Sequence, residues 1–287
     1  MQKRSEERFF HQASAFGLGG YVSVPGNFSE ILEVKAAISL PPSGGRGKVR
    51  AENHDYNRSP VAISFDFAES EVAGYPRPDG KTHQSVATVT VNGLNIMNRV
   101  TAEKVVCRLV STEYSDPAAR KQADEGTELL PDGMGLVAAG SYIKGLRIDG
   151  FLVKPIHNEL LLGEETFSSL REKCKDEFVD PEGKAFALPD LGPIKRAHTK
   201  KEKRTILRRF DDCYVLTSIY KKLIVEEGSY LKPEGTTVLV PDFGRVRLGE
   251  FLISRDARLL TMIVCQLGCP VNGELAAAGV RNNGSDY

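Results

Sequence analysis

Val61-Ala62-Ile63-Ser64-Phe65-Asp66-Phe67 alternates two kinds of side chain without a break, with Val61, Ile63, Phe65 and Phe67 on one side and Ala62, Ser64 and Asp66 on the other. Successive side chains of a strand point to opposite faces, so the stretch predicts a strand with one buried face. Outward from it, two-residue periodicity recurs over residues 85–91, 104–110, 142–153, 214–224, 236–240 and 259–267, each run fenced by Gly, Pro, Asn or Asp. Many short alternating runs predict a mainly β fold: an antiparallel β-sandwich or two packed β halves, with one or two short helices.

Turn residues set the expected connections. A strand over 20–24 ends at Pro25-Gly26-Asn27, and a second over 31–40 is stopped by Pro41, Pro42, Ser43, Gly44 and Gly45. A strand over 48–51 can pair back onto the second. Residues 74–84 read as a loop, and Asn92-Gly93 between two apolar runs predicts a tight hairpin turn ahead of a strand over 100–112. Residues 114–139 are polar and turn-rich, which predicts a surface excursion. Two segments leave the β pattern. Phe167, Leu170, Cys174 and Phe178 fall at spacings of three and four and predict an amphipathic helix over 164–178, and a basic helix is expected within 200–210.

The 287 residues can bury a sizeable core as one β-rich unit over 1–287, and if there are two intimate halves they divide near 155–200. A faint repetition supports that alternative: Thr88-Val89-Thr90-Val91 followed by Val105-Val106-Cys107-Arg108-Leu109 parallels Thr237-Val238-Leu239-Val240 followed by Ile263-Val264-Cys265-Gln266-Leu267.

Lys plus Arg and Asp plus Glu number 38 each, so no global field recruits nucleic acid, anionic lipid or acidic substrates. Tryptophan is absent, which weakens the case for a base- or sugar-stacking platform. No run approaches the roughly 20 apolar residues a membrane helix needs. The charged stretch over 1–8, followed by a patch interrupted by His11, Gln12, Gly17, Gly19 and Gly20, resembles neither a signal core nor a transit peptide. Five cysteines, an odd number, read as free thiols in a reducing compartment: Cys107, Cys213 and Cys265 in apolar runs, Cys174 and Cys269 more accessible. The expectation is a cytoplasmic protein with no membrane partner and no cofactor.

Phosphate-loop and dinucleotide signatures fail. Residues 42–49 put Pro42 where the pattern needs Gly and Val49 where it needs a hydroxyl, and Gly133-Met134-Gly135-Leu136-Val137-Ala138-Ala139-Gly140 misses the Gly spacing by one. Cys265 and Cys269 lack the local pairing of a structural zinc site. The most site-like group is Glu52, His54 and Asp55 with Asp66 and Glu69 across a strand, because imidazole beside carboxylates suits general acid/base or metal-assisted hydrolysis. A solvated, turn-forming run accounts for the same residues, and His83, His157 and His198 read as isolated surface or capping residues.

Lys195, Arg196, Lys200, Lys201, Lys203, Arg204, Arg208 and Arg209 form a basic segment that could neutralise phosphates. The acids that follow it and the neutral chain favour a solvated face, so nucleic acid is not the expected partner.

Ala15-Phe16-Gly17-Leu18 leading into Val22-Ser23-Val24-Pro25, Val100-Thr101-Ala102-Glu103-Lys104-Val105-Val106, Gly140-Ser141-Tyr142-Ile143 and Leu248-Gly249-Glu250 together resemble uncharacterised bacterial β-rich proteins of the choice-of-anchor P kind. The resemblance implies a β architecture and no mechanism, and the chain departs from those proteins in lacking an export signal. With no catalytic constellation assembled, the sequence points to a non-enzymatic binding or structural protein with a protein or small-ligand partner. The alternatives are a metal-assisted hydrolase using His54, Asp55, Asp66 and Glu69, and a polyanion binder using Lys200, Lys201, Lys203 and Arg204.

Overall fold

In strand β5 (Val61–Pro76) burial first follows the alternation, with Val61, Ile63 and Phe65 inside, and then changes phase. Phe67 lies outside under the Arg50 guanidinium, 4.2 Å from its ring centre, while Ala68, Ser70 and Val72 are buried. Its neighbours change phase at the same level. Strand β6 (Thr82–Ile96) buries Val89 and Val91, then Leu94 and Ile96, and β7 (Val100–Tyr114) buries Val100 and Ala102, then Val105 and Cys107. Because every strand takes the extra residue at one level, the register from Ile63↔Ile96 to Phe67↔Asn92 holds and the core face stays continuous. The chain adopts a left-handed conformation at this level in alternate strands, at Asn53 (φ 50°), Gly93 (φ 64°) and Gly145 (φ 64°). A side chain at Gly93 would meet the exposed Asp66 carboxylate, which would have to turn aside, and the left-handed φ is what favours glycine there.

The structure is a computed structural model that describes residues 9–78, 82–114, 134–162, 214–254 and 258–286. These form two antiparallel sheets packed face to face around one hydrophobic core, a β-sandwich. The sheet containing β5, β6 and β7 continues to β4 (Gly45–Arg58) on one side. On the other side β7 pairs with β8 (Met134–Val137), β9 (Tyr142–Lys144) and β10 (Arg147–Ile148), and β11 (Phe151–His157) and β13 (Tyr220–Val225) complete it.

The facing sheet joins the two ends of the described chain. Its order runs β14 (Pro233–Glu234), β15 (Thr237–Val240), β16 (Gly244–Ser254), β17 (Arg258–Leu267), β18 (Asn272–Asp286), β1 (Phe9–Val24) and β2 (Phe28–Lys35). Strand β3 (Ile38–Ser39) pairs with β1, and β12 (Tyr214–Ser218) with β16. It carries its own row of left-handed residues in alternate strands: Gly249 (φ 63°), Ala278 (φ 54°) and Ala36 (φ 51°).

Several sequence expectations are corrected. Asn92-Gly93 lies inside β6, and the hairpin turn falls at Met97-Asn98, both with positive φ, closed by Arg99 N donating to Ile96 O at 3.0 Å. Three residues, Met97 to Arg99, connect the paired Ile96 and Val100, and the left-handed pair at Met97-Asn98 reverses the chain, whereas Gly93 serves the phase change. The segment over 48–51 belongs to β4, which pairs with β5 and not with the strand before it. The run over 142–153 divides into β9, β10 and β11, and 214–224 divides between the two sheets at buried Ile219. The repeated motif is not equivalent in its two copies, since β6 and β7 pair directly while β16 separates β15 from β17. The helices expected over 164–178 and 200–210 lie outside the described residues, where one 3-10 turn, Glu159–Leu161, is the helical element. No helix among the described residues is long and apolar enough to cross a membrane, which leaves membrane β-barrels unaddressed.

Candidate functional site

The core is apolar along most of its length and becomes polar at one end, where β1 begins and β18 finishes over the start of β6. His11, Ser85, Ser111, Glu113, Arg258 and Asn282 are all buried there. Register brings them together: Ser85 pairs with Ser111, Ala13 with Asn282, and Arg258 with Asn282. Across the sheets, His11 Nδ1 and Ser85 Oγ share a 3.2 Å hydrogen bond, and Asn282 Nδ2 donates to Ser85 O (3.1 Å) and Leu109 O (3.0 Å). The His83 ring meets His11 edge-on at 5.3 Å. Gly44 and Gly74 flank the imidazole so closely that a Cβ at either would come within 2.8 Å of it.

Burial pushes the His11 pKa down to about 4, with the His83 charge acting in the same direction. The ring is therefore neutral at neutral pH and a weak base. Ser85, 3% exposed, is closed to a substrate, so the pair acts as a tie between sheets rather than as an activated nucleophile. A depressed folded-state histidine pKa means that the unfolded chain takes up the proton first. Stability is therefore complete above about pH 6.5 and declines as the pH falls toward about 4. The expected loss attributable to His11 is on the order of 3 kcal/mol. Urea titrations across that window should show a steeper decline for wild type than for His11→Gln, and parallel curves would refute the assignment.

The residues predicted from sequence are placed apart. His54 packs on Phe65, ring centres 5.1 Å apart, on the core side of β4, and its pKa is lowered by burial and by the Lys35 charge. Asp55, opposite Ser64, projects from the other face, as does exposed Asp66 over Gly93. Glu69 is held by Lys48 (2.8 Å) and Arg50 (3.7 Å). No group of three His, Cys, Asp or Glu among the described residues could hold a metal ion. His157 stacks near Tyr220, with its Nε2 2.8 Å from Ser141 O. His198, Lys200, Lys201, Lys203 and Arg204 lie outside the described residues, as do Cys174 and Cys213. Cys107 and Cys265 are buried, their pKa values raised by desolvation (Cys265 to about 12), and Cys269 is exposed.

An open cavity of about 330 Å3 lies beside β1, bounded by Gln12, Ser14, Ser39, Leu40, Pro42 and Arg281. Ser14 pairs with Ser39 on one side and with Arg281 on the other, which puts two hydroxyls and a guanidinium on one rung of three adjacent strands. No local pattern joins these residues, because Ser14 and Arg281 meet only once the first and last strands pair. The one local signal was the run of small and polar residues around Ser14 inside an otherwise apolar strand.

Residues 9–254 match the model of a family described as a domain of unknown function, DUF8256. The chain belongs to the DUF8256 family. Comparisons with curated proteins and with solved structures gave no match. The DUF8256 description carries no activity, and it speaks neither for nor against the anchor-protein resemblance. The DUF8256 match ends with β16, while β17 and β18, which bridge β16 to β1 and carry Arg281 and Asn282, lie beyond it.

Proposed function

We propose that this protein is a non-enzymatic binding protein whose ligand site is the cavity between β3, β1 and β18. The observation that carries this reading is the convergence there of solvent-accessible polar side chains from both ends of the chain, Ser14, Ser39 and Arg281, beside the apolar Pro42. A concave surface with a few convergent polar groups and an apolar wall is how small-molecule sites are built. The dispersal of His54, Asp55, Asp66 and Glu69 favours binding over metal-assisted hydrolysis. The free thiols Cys107, Cys265 and Cys269 support a reducing, cytoplasmic setting.

A small-molecule panel followed by backbone NMR tests the proposal. Binding compounds are expected to shift the Gln12, Ser14, Ser39 and Leu40 amides, with no turnover of ester or phosphoester substrates at any added metal. Metal-dependent hydrolysis that disappears in His54→Ala would displace this reading in favour of the hydrolase.

A further inference from the structure

We infer that the cavity beside β1 takes a small monocarboxylic acid, its carboxylate held by Arg281, Ser14 and Ser39 and its hydrocarbon part against the exposed ring of Pro42. The inference rests on the binding reading above and names its ligand class. Arg281 projects into the open cavity and forms no ion pair with a described carboxylate. Its cross-strand neighbours are Ser14 on β1 and Leu259 on β17, and Ser39 follows Ser14 on β3, so the rung contains one cation, two hydroxyls and no acid. A guanidinium fork matches a carboxylate with two parallel hydrogen bonds, and hydroxyls donate to its remaining lone pairs. One positive charge balances a monoanion and leaves a phosphate dianion half-neutralised. A volume of about 330 Å3 stands at the small end of ligand sites, which fits a short organic acid better than a nucleotide or a lipid.

Hexanoate and its neutral isostere hexanamide test the inference on the full chain, with inorganic phosphate as a third probe and chemical shifts at Ser14, Ser39 and Leu40 as the readout. Hexanoate is expected to saturate the site and to bind roughly tenfold more tightly than hexanamide, and Arg281→Gln to remove that difference. Ser14→Ala should weaken hexanoate by a smaller factor, and unchanged melting temperatures in both variants would place the loss at the site. Equal binding of hexanoate and hexanamide, insensitive to Arg281→Gln, overturns the carboxylate inference while leaving a binding cavity. Phosphate binding tighter than hexanoate and dependent on Arg281 overturns it in favour of an inorganic anion. If neither these probes nor any compound of the wider panel shifts the cavity resonances, the binding reading itself falls.

Discussion

Gly20→Ala is expected to leave little folded protein. Gly20 sits mid-strand in β1, flanked by Leu275 of β18 and Leu32 of β2, with φ of +151°, a conformation that L side chains rarely adopt. A Cβ would stand 2.1 Å from Glu274 O and 2.9 Å from Leu275 Cα. Both are backbone atoms of a paired strand, so relief requires parting β1 from β18 rather than turning a side chain. Backbone strain of about 1–3 kcal/mol adds to the broken pairing, and a total above about 4 kcal/mol is expected. Natural domains hold only about 5–15 kcal/mol in reserve, so the urea midpoint should collapse. Gly26→Ala is the control, because its positive φ is strained but its Cβ would meet nothing within 4 Å; about 1 kcal/mol is expected there. A Gly20→Ala protein with the control's midpoint would mean that β1 does not pack on β18 as described.

Asn282→Ala should cost about 2–4 kcal/mol, because two buried carbonyls lose their cross-sheet donor together. The side chain is fully buried, and its amide protons reach Ser85 O on β6 and Leu109 O on β7 from the opposite sheet. Two acceptors facing one end of the amide fix which atom is nitrogen, and Oδ1 is left without a hydrogen bond. Asn282→Asp is expected to be worse at neutral pH, since it sets a buried carboxylate against two carbonyl oxygens. Guanidinium denaturation of the three proteins orders them as wild type, Ala, then Asp. An Ala variant within about 0.5 kcal/mol of wild type would show that the polar end contributes nothing to holding the sheets together.

The two sites differ in how far local sequence reveals them. His54, Asp55, Asp66 and Glu69 are close in sequence, yet adjacent residues of a strand face opposite ways: β4 sets the ring inside and Asp55 outside, and β5 projects Asp66 and Glu69 outside as well. His11 read as an interruption of an apolar patch and His83 as isolated. Their meeting at 5.3 Å follows from the packing of one sheet on the other.

Local alternation is enough to show that the body is built of antiparallel strands, that Val61, Ile63 and Phe65 are core, and that Cys107 and Cys265 are buried thiols, because period-two burial is a local property of each strand. Where that period slips is set by how the strands pack together. The extra residue at Phe67, Gly93 or Gly249 is tolerated when neighbouring strands slip at the same level, and no single strand encodes its neighbours. The same holds for the Ser39, Ser14 and Arg281 rung and for the Asn282 tie. Each joins residues from the two ends of the chain through β1–β18 pairing and sheet-on-sheet packing, contacts whose partners lie beyond the reach of any local pattern.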